Sequence, residues 1–174
     1  MRILETVTFD AVLRHFRAEH PVAREHDGNT NDEAEGHVRN AERLLGRWSR
    51  VLLGRQDVLD VMLPWHLGEG GDRELVPPTG MTVAEAAETL RSQQDAYARS
   101  NPVCWRKLLR QRTAPRTPLF LSARAVSGVD YEGLRVKEGV THLDGLHRMI
   151  AWAAWHRLPK GEEIPAYVAF AAPR

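Results

Sequence analysis

The chain has 174 residues, room for one domain with its own core but not for two comfortable ones. Its 43% apolar and 27% charged residues exclude a disordered polymer, and no apolar run approaches the roughly 18 residues that cross a bilayer. A formal net charge of +1 gives no bulk pull toward nucleic acid or membrane. The opening MRILETVTFD turns acidic too early for a secretory leader, so the expectation is a cytoplasmic protein.

In chain order, Ile3, Glu5 and Val7 alternate with Leu4, Thr6 and Thr8, which suits a short strand. Phe9, Val12, Leu13 and Phe16 then recur at helical spacing until Pro21 stops them. REHDGNTND reads as loop; His26, Asp27, Asp32, Glu33 and His37 lack a recognised metal spacing and fit a solvated loop and cap better than a ligand set. Asn31 or Asp32 caps a long helix whose apolar face is Ala34, Val38, Ala41, Leu44, Leu45, Trp48, Val51 and Leu52. A shorter helical piece over 58–63 ends at Pro64. HLGEGGDRELVPPTG, rich in Gly and Pro, is the best mobile connection. Thr82 and Glu85 form a capping box for one helix, and Asn101 with Pro102 opens another over VCWRKLLRQR. After Pro115 the order is strand (PLFLSARAV), turn (SGVDYEG), strand (LRVKEGVTHL), helix (MIAWAAWHRL) and strand (IPAYVAF). That order predicts an α+β domain with a small mixed sheet and a helix packed on it.

Cys104 is the only cysteine, which rules out an intrachain disulfide and excludes a cysteine-based zinc site; a small core residue is the weightier reading than a nucleophile. No acid occurs between Asp95 and Asp130, a gap that holds Arg99, Arg106, Lys107, Arg110, Arg112, Arg116 and Arg124. Such a stretch either holds phosphates or is a solvated face.

The most pointed feature is DGLHR, residues 144–148, at the start of an apolar helix. Asp144 can cap that helix by accepting from the amides of Leu146 or His147. Gly145, without a Cβ, leaves space for a ligand at the backbone. The free amides of a helix start attract anions, and Arg148 with His147 can add charge-assisted hydrogen bonds. The alternative is a plain cap, an interior histidine and a surface arginine. The apolar helix behind the cluster, with Met149, Ile150, Trp152 and Trp155, favours a ligand, because buried charges need partners. His142, two residues before Asp144 on the same strand face, either lines the pocket or fills the sheet.

The stretch EGVTHLDGLHRMIAWAAWHRLPKGEEIPAYVAF resembles the core of the ParB and sulfiredoxin-like superfamily, nearest the D-G-x-H-R branch that includes free serine kinases. The resemblance covers residues 118–170, and residues 2–20 resemble more loosely the first strand and helix of that fold. It implies a core from 1–20 and 115–174 with a helical insertion over about 30–112. It also implies nucleotide phosphates on Gly145, Leu146, His147 and Arg148, catalytic parts for Asp144 and His147, and a metal, Mg²⁺, at Asp144. His142, Arg116 and Arg124 are the candidate substrate-binding residues. Leu146 stands where sulfiredoxins carry their reactive cysteine, so sulfinic acid reduction is not expected. The kinase branch's separate catalytic glutamate has no motif-assigned counterpart.

The resulting expectation is a nucleotide-dependent phosphotransferase, using ATP or ADP with CTP a further candidate, that acts on a small hydroxylated metabolite such as an amino acid. The alternative is a ParB-like nucleotide-sensing or DNA-associated module without turnover.

Overall fold

Strand β1 (Arg2–Val7) leads directly into helix α1 (Phe9–Glu19), because the Thr8 hydroxyl caps the helix by accepting from the Ala11 amide. The computed structural model describes residues 1–21, 30–68, 73–158 and 160–172; the sequence reading of His26 and Asp27 lies outside them. Helix α2 (Asn31–Leu45) starts at Thr30, one residue before the expected Asn31 or Asp32, in a capping box closed by Glu33.

The helix predicted to continue through Trp48, Val51 and Leu52 ends at Leu45 instead. Gly46 takes φ +70° there, a left-handed C-cap that glycine adopts freely, and the chain turns into strand β2 (Gly46–Leu53). Trp48 and Val51 share helical spacing with Leu44 and Leu45, yet they serve opposite faces of a sheet. The short helical piece is also shifted: α3 (Arg55–Leu59) precedes strand β3 (Met62–Leu63).

A hairpin of β4 (His66–Leu67) and β5 (Glu74–Val76) follows, then β6 (Met81–Thr82), which runs into helix α4 (Val83–Ser92) through the predicted Thr82–Glu85 capping box. Helices α5 (Gln94–Ser100) and α6 (Pro102–Arg110) meet at Asn101, with Pro102 in the first turn as expected. The last part matches the order read from the sequence: β7 (Leu119–Arg124), the short α7 (Val129–Glu132), β8 (Glu138–Asp144), α8 (Leu146–Ala154) and β9 (Ile164–Ala171).

The fold class is α+β. Seven strands form one mixed sheet in the order β1-β2-β9-β7-β8-β3-β6. Pairs β7/β9 and β3/β8 are parallel and the other neighbours antiparallel. The stretch expected to be a helical insertion therefore supplies three strands to this sheet, β2 between β1 and β9 and β3 and β6 at the far edge, and the separate pair β4 and β5 besides. Alternation along the strands feeds two cores. Trp48, Phe120, Leu143 and Tyr167 point to α1 and α2 on one face, and Val51, Leu121 and Val168 point to α4, α6 and α8 on the other.

Candidate functional site

A cleft of about 1540 Å³ opens at the carboxyl end of β8, where the two helical layers part. Its walls come from the end of α1, the start of α2, the chain from Pro64 to Gly68, helices α5 and α6, and the strand–turn–helix of His142–Arg148. Five of the protein's eight histidines border it: His20, His37, His66, His142 and His147.

All of DGLHR lines this cleft, but its charges are arranged differently from the sequence expectation. The N-cap position belongs to Gly145 and has no side-chain cap; Asp144 is the last residue of β8. The Asp144 carboxylate, 6% exposed, accepts from Arg148 Nη2 at 2.7 Å. Arg148 Nη1 donates to the Pro118 carbonyl at 2.9 Å and to the Thr117 hydroxyl. The guanidinium thus folds back on its own helix start and ties α8 to the entrance of β7. Gly145 is required by its φ of +110°, and a Cβ there would lie 2.7 Å from Leu119 Cδ2 and 3.0 Å from Arg148 Nη2. The glycine makes room for the protein's own side chains rather than for a ligand.

On its other side Asp144 meets His20. The Nδ1 of His20 faces the Phe16 carbonyl at 2.7 Å, which fixes a proton there, and Nε2 lies 3.4 Å from Asp144 Oδ1. A proton on Nε2 converts that approach into an ion pair. Both Asp144 oxygens face cationic or protonatable groups, Oδ2 Arg148 and Oδ1 His20, so Mg²⁺ bound there has to compete with one of them. The other acids on the cleft wall are Glu19, Glu33 and Asp130. Burial raises the Asp130 pKa above its ordinary value, opposed by the nearby His37.

His142 is buried, and neither ring nitrogen has a hydrogen-bond partner among the described residues. Its backbone is held by the Tyr131 hydroxyl, which donates to the His142 carbonyl at 2.9 Å. Burial pushes its pKa down to about 3 against the pull of Asp144, and His37, His66 and Arg148 push the same way. The imidazole is therefore neutral, with one N–H and one lone pair unspent at the edge of the cleft.

The basic stretch divides. Arg99, Lys107 and Arg110 border the cleft. Arg112 lies over the Trp155 ring, Arg124 pairs with Glu138 at 3.1 Å, and Arg116 donates to the Arg157 carbonyl at 3.1 Å and to Glu162. Arg116 and Arg124, expected to bind substrate, do not border the cleft. Surface partners hold them elsewhere.

The fold also assembles a group that sequence reading missed. Cys104 on α6 is fully buried, and its Sγ lies 2.9 Å from His147 Nε2 and 4.0 Å from His66 Nε2. The Tyr97 hydroxyl donates to the same sulfur at 2.9 Å. Cys104 is a core residue as expected, and in addition two imidazoles and a phenol face its sulfur. His147, read as a phosphate donor, points its Nε2 at sulfur. The three residues come from a hairpin and two helices, so no local motif announces their meeting.

With that geometry established, comparison with known proteins places the chain in a family. A family model described as a family of unknown function (DUF6309) matches residues 1–173, and the chain belongs to that family. No curated protein and no solved structure matches.

Proposed function

We propose that the protein is a cytoplasmic nucleotide-dependent phosphotransferase, kinase-like, that transfers a phosphoryl group to a small hydroxylated metabolite such as an amino acid. The reading is supported above all by convergence: the whole run His142–Arg148 of one strand–turn–helix borders a cleft that also receives Lys107 and Arg110 from α6. The first turn of α8 offers backbone N–H groups to an anion, and the two basic side chains opposite supply the charge that a helix dipole of roughly 0.3–2 kcal/mol lacks. Lys107 and Arg110 lie one helical turn apart, on the same side of α6, a spacing that suits neighbouring phosphates.

ATP or ADP, with Mg²⁺, supplies the transferable group and neutralises its charge when bound. The protein's own part is to position. The neutral His142 offers an N–H or a lone pair to an acceptor hydroxyl, and the Asp144–Arg148 pair holds the helix start in place. Glu19, Glu33 and Asp130 are the carboxylates left to face a hydrated cation.

The test is a thermal-shift and calorimetric panel of ATP, ADP and CTP with and without Mg²⁺, followed by phosphorus NMR with hydroxylated amino acids as acceptors. Lys107→Ala or Arg110→Ala should weaken nucleotide binding by about tenfold or more, as lost charge-assisted hydrogen bonds do. Nucleotide binding without turnover on any acceptor moves the protein to the nucleotide-sensing alternative. No protection by any nucleotide at millimolar concentration removes the proposal.

A further inference from the structure

We propose that His66 Nε2, Cys104 Sγ and His147 Nε2 form a three-ligand site for a divalent transition metal, Zn²⁺ first, with the fourth position open to the cleft. This goes beyond the nucleotide reading and shares only His147 with it.

Three independent observations carry the site. The first is geometric: one ligating atom from each residue lies within 4.8 Å of the other two. A tetrahedral Zn²⁺ with a Zn–S bond of about 2.3 Å and Zn–N bonds of about 2.0–2.1 Å holds its ligand atoms roughly 3.3–3.6 Å apart. The observed sulfur-to-nitrogen separations of 2.9 Å and 4.0 Å bracket that value, so sub-ångström movements of partly exposed rings suffice.

The second is chemical. One soft thiolate and two imidazoles suit Zn²⁺, whereas Mg²⁺ prefers oxygen. Three protein ligands leave one coordination position, as in catalytic zinc sites, and the layout places it: Cys104 is buried behind, while His66 and His147 border the cleft. A thiolate, two neutral imidazoles and Zn²⁺ sum to +1, which favours an anionic or easily ionised fourth ligand such as water.

The third lies in what supports the ligands. The Tyr97 hydroxyl donates to Sγ at 2.9 Å, an outer hydrogen bond that stabilises a thiolate. The hairpin that carries His66 is pinned to the start of α6 by Asn101, which has no exposed surface. Its Nδ2 donates to the Arg73 carbonyl at 2.6 Å and its Oδ1 accepts from the Arg73 amide at 3.3 Å. Gly68 fits against this clamp so closely that a Cβ would lie 2.4 Å from Asn101 Nδ2 and 2.8 Å from the Tyr97 oxygen. Gly68 and Asn101 are positioning residues that fix His66 over the thiol.

The experiment uses the full chain, stripped with a chelator and titrated with Zn²⁺ and Co²⁺. One equivalent of Zn²⁺ should bind, and Co²⁺ should show a thiolate charge-transfer band with the visible bands of tetrahedral cobalt. Cys104→Ser should abolish the charge-transfer band, and His66→Gln should weaken Zn²⁺ by more than about 100-fold, beyond what an outer partner contributes. Tyr97→Phe and Gly68→Ala should each weaken it by roughly 10–100-fold with all ligands intact. If Cys104→Ser does not fold, His66→Gln on the partly exposed hairpin carries the test, checked by circular dichroism. Lys107→Ala should leave the cobalt spectrum unchanged while weakening nucleotide, which separates this site from the phosphotransferase reading. Absence of stoichiometric metal, or a cobalt spectrum indifferent to both ligand substitutions, overturns the proposal.

Discussion

His142 is expensive for the fold. A buried neutral imidazole whose N–H and lone pair find no partner among the described residues costs about 1–3 kcal/mol relative to a satisfied one. His142→Leu should therefore leave stability unchanged or raise it by about 1 kcal/mol at pH 7, while it reduces ligand affinity in the cleft. The gain should grow in acid. A folded pKa of about 3 lies below the ordinary 6.5, so the unfolded chain takes the proton first, and wild-type stability falls as pH drops from 6.5 toward 3. Urea titrations of both proteins at pH 7 and pH 5 measure the difference, which should widen by about 2 kcal/mol at the lower pH. Equal acid sensitivity of the two would contradict the assignment. Arg148→Ala tests the neighbouring pair: it leaves the Asp144 carboxylate buried beside a vacated site and should cost about 3 kcal/mol, with part regained in Asp144→Asn/Arg148→Ala. DGLHR was legible at this scale because its strand, turn and helix are contiguous. The inward fold of Arg148 was not, because Thr117 and Pro118 are distant in sequence.

Among the elements, α1 and α2 are joined by Glu35, whose carboxylate accepts from Arg17 Nε and Nη2 at 2.9 Å each and from Arg39. The two arginines hold its pKa down to about 2, well below its ordinary 4.5. A lowered carboxylate pKa contributes stability above 4.5 that disappears as pH falls toward 2. Exposure of both arginines leaves about 1 kcal/mol after solvent screening. Glu35→Gln should lose that amount at pH 7 and match wild type near pH 2, read from denaturant midpoints. At the other end of α2, Gly46→Ala should cost about 1 kcal/mol, since alanine resists the left-handed C-cap. The boundary there misled the sequence reading because apolar residues at helical spacing continue past Leu45. A short run of this kind fits both periods, and tertiary pairing of β2 with β1 and β9 decides between them. The capping boxes, by contrast, were legible or nearly so, because they act within a few residues.

Across the whole molecule, one sheet serves two cores, so neither face can open without exposing the other. Trp48 sits 1% exposed where α2 meets β2, its Nε1 donating to Glu42 at 2.9 Å. Trp48→Ala should cost about 3–5 kcal/mol and lower a single calorimetric transition by roughly 2–4 °C per kcal/mol. A split transition would instead show that the faces melt apart. The class and the strand–helix–strand ending were readable from order and alternation alone, whereas β2, β3 and β6 of the sheet were not. The thiol's surroundings were not, since His66, Cys104 and His147 meet only after the hairpin, α6 and α8 have packed. That meeting has a practical use. Cys104 is the sole sulfhydryl of the chain and lies behind the cleft wall, so its rate of alkylation is a built-in gauge of cleft occupancy. A compound library can be screened by how far each member slows iodoacetamide labelling, whatever the natural ligand is.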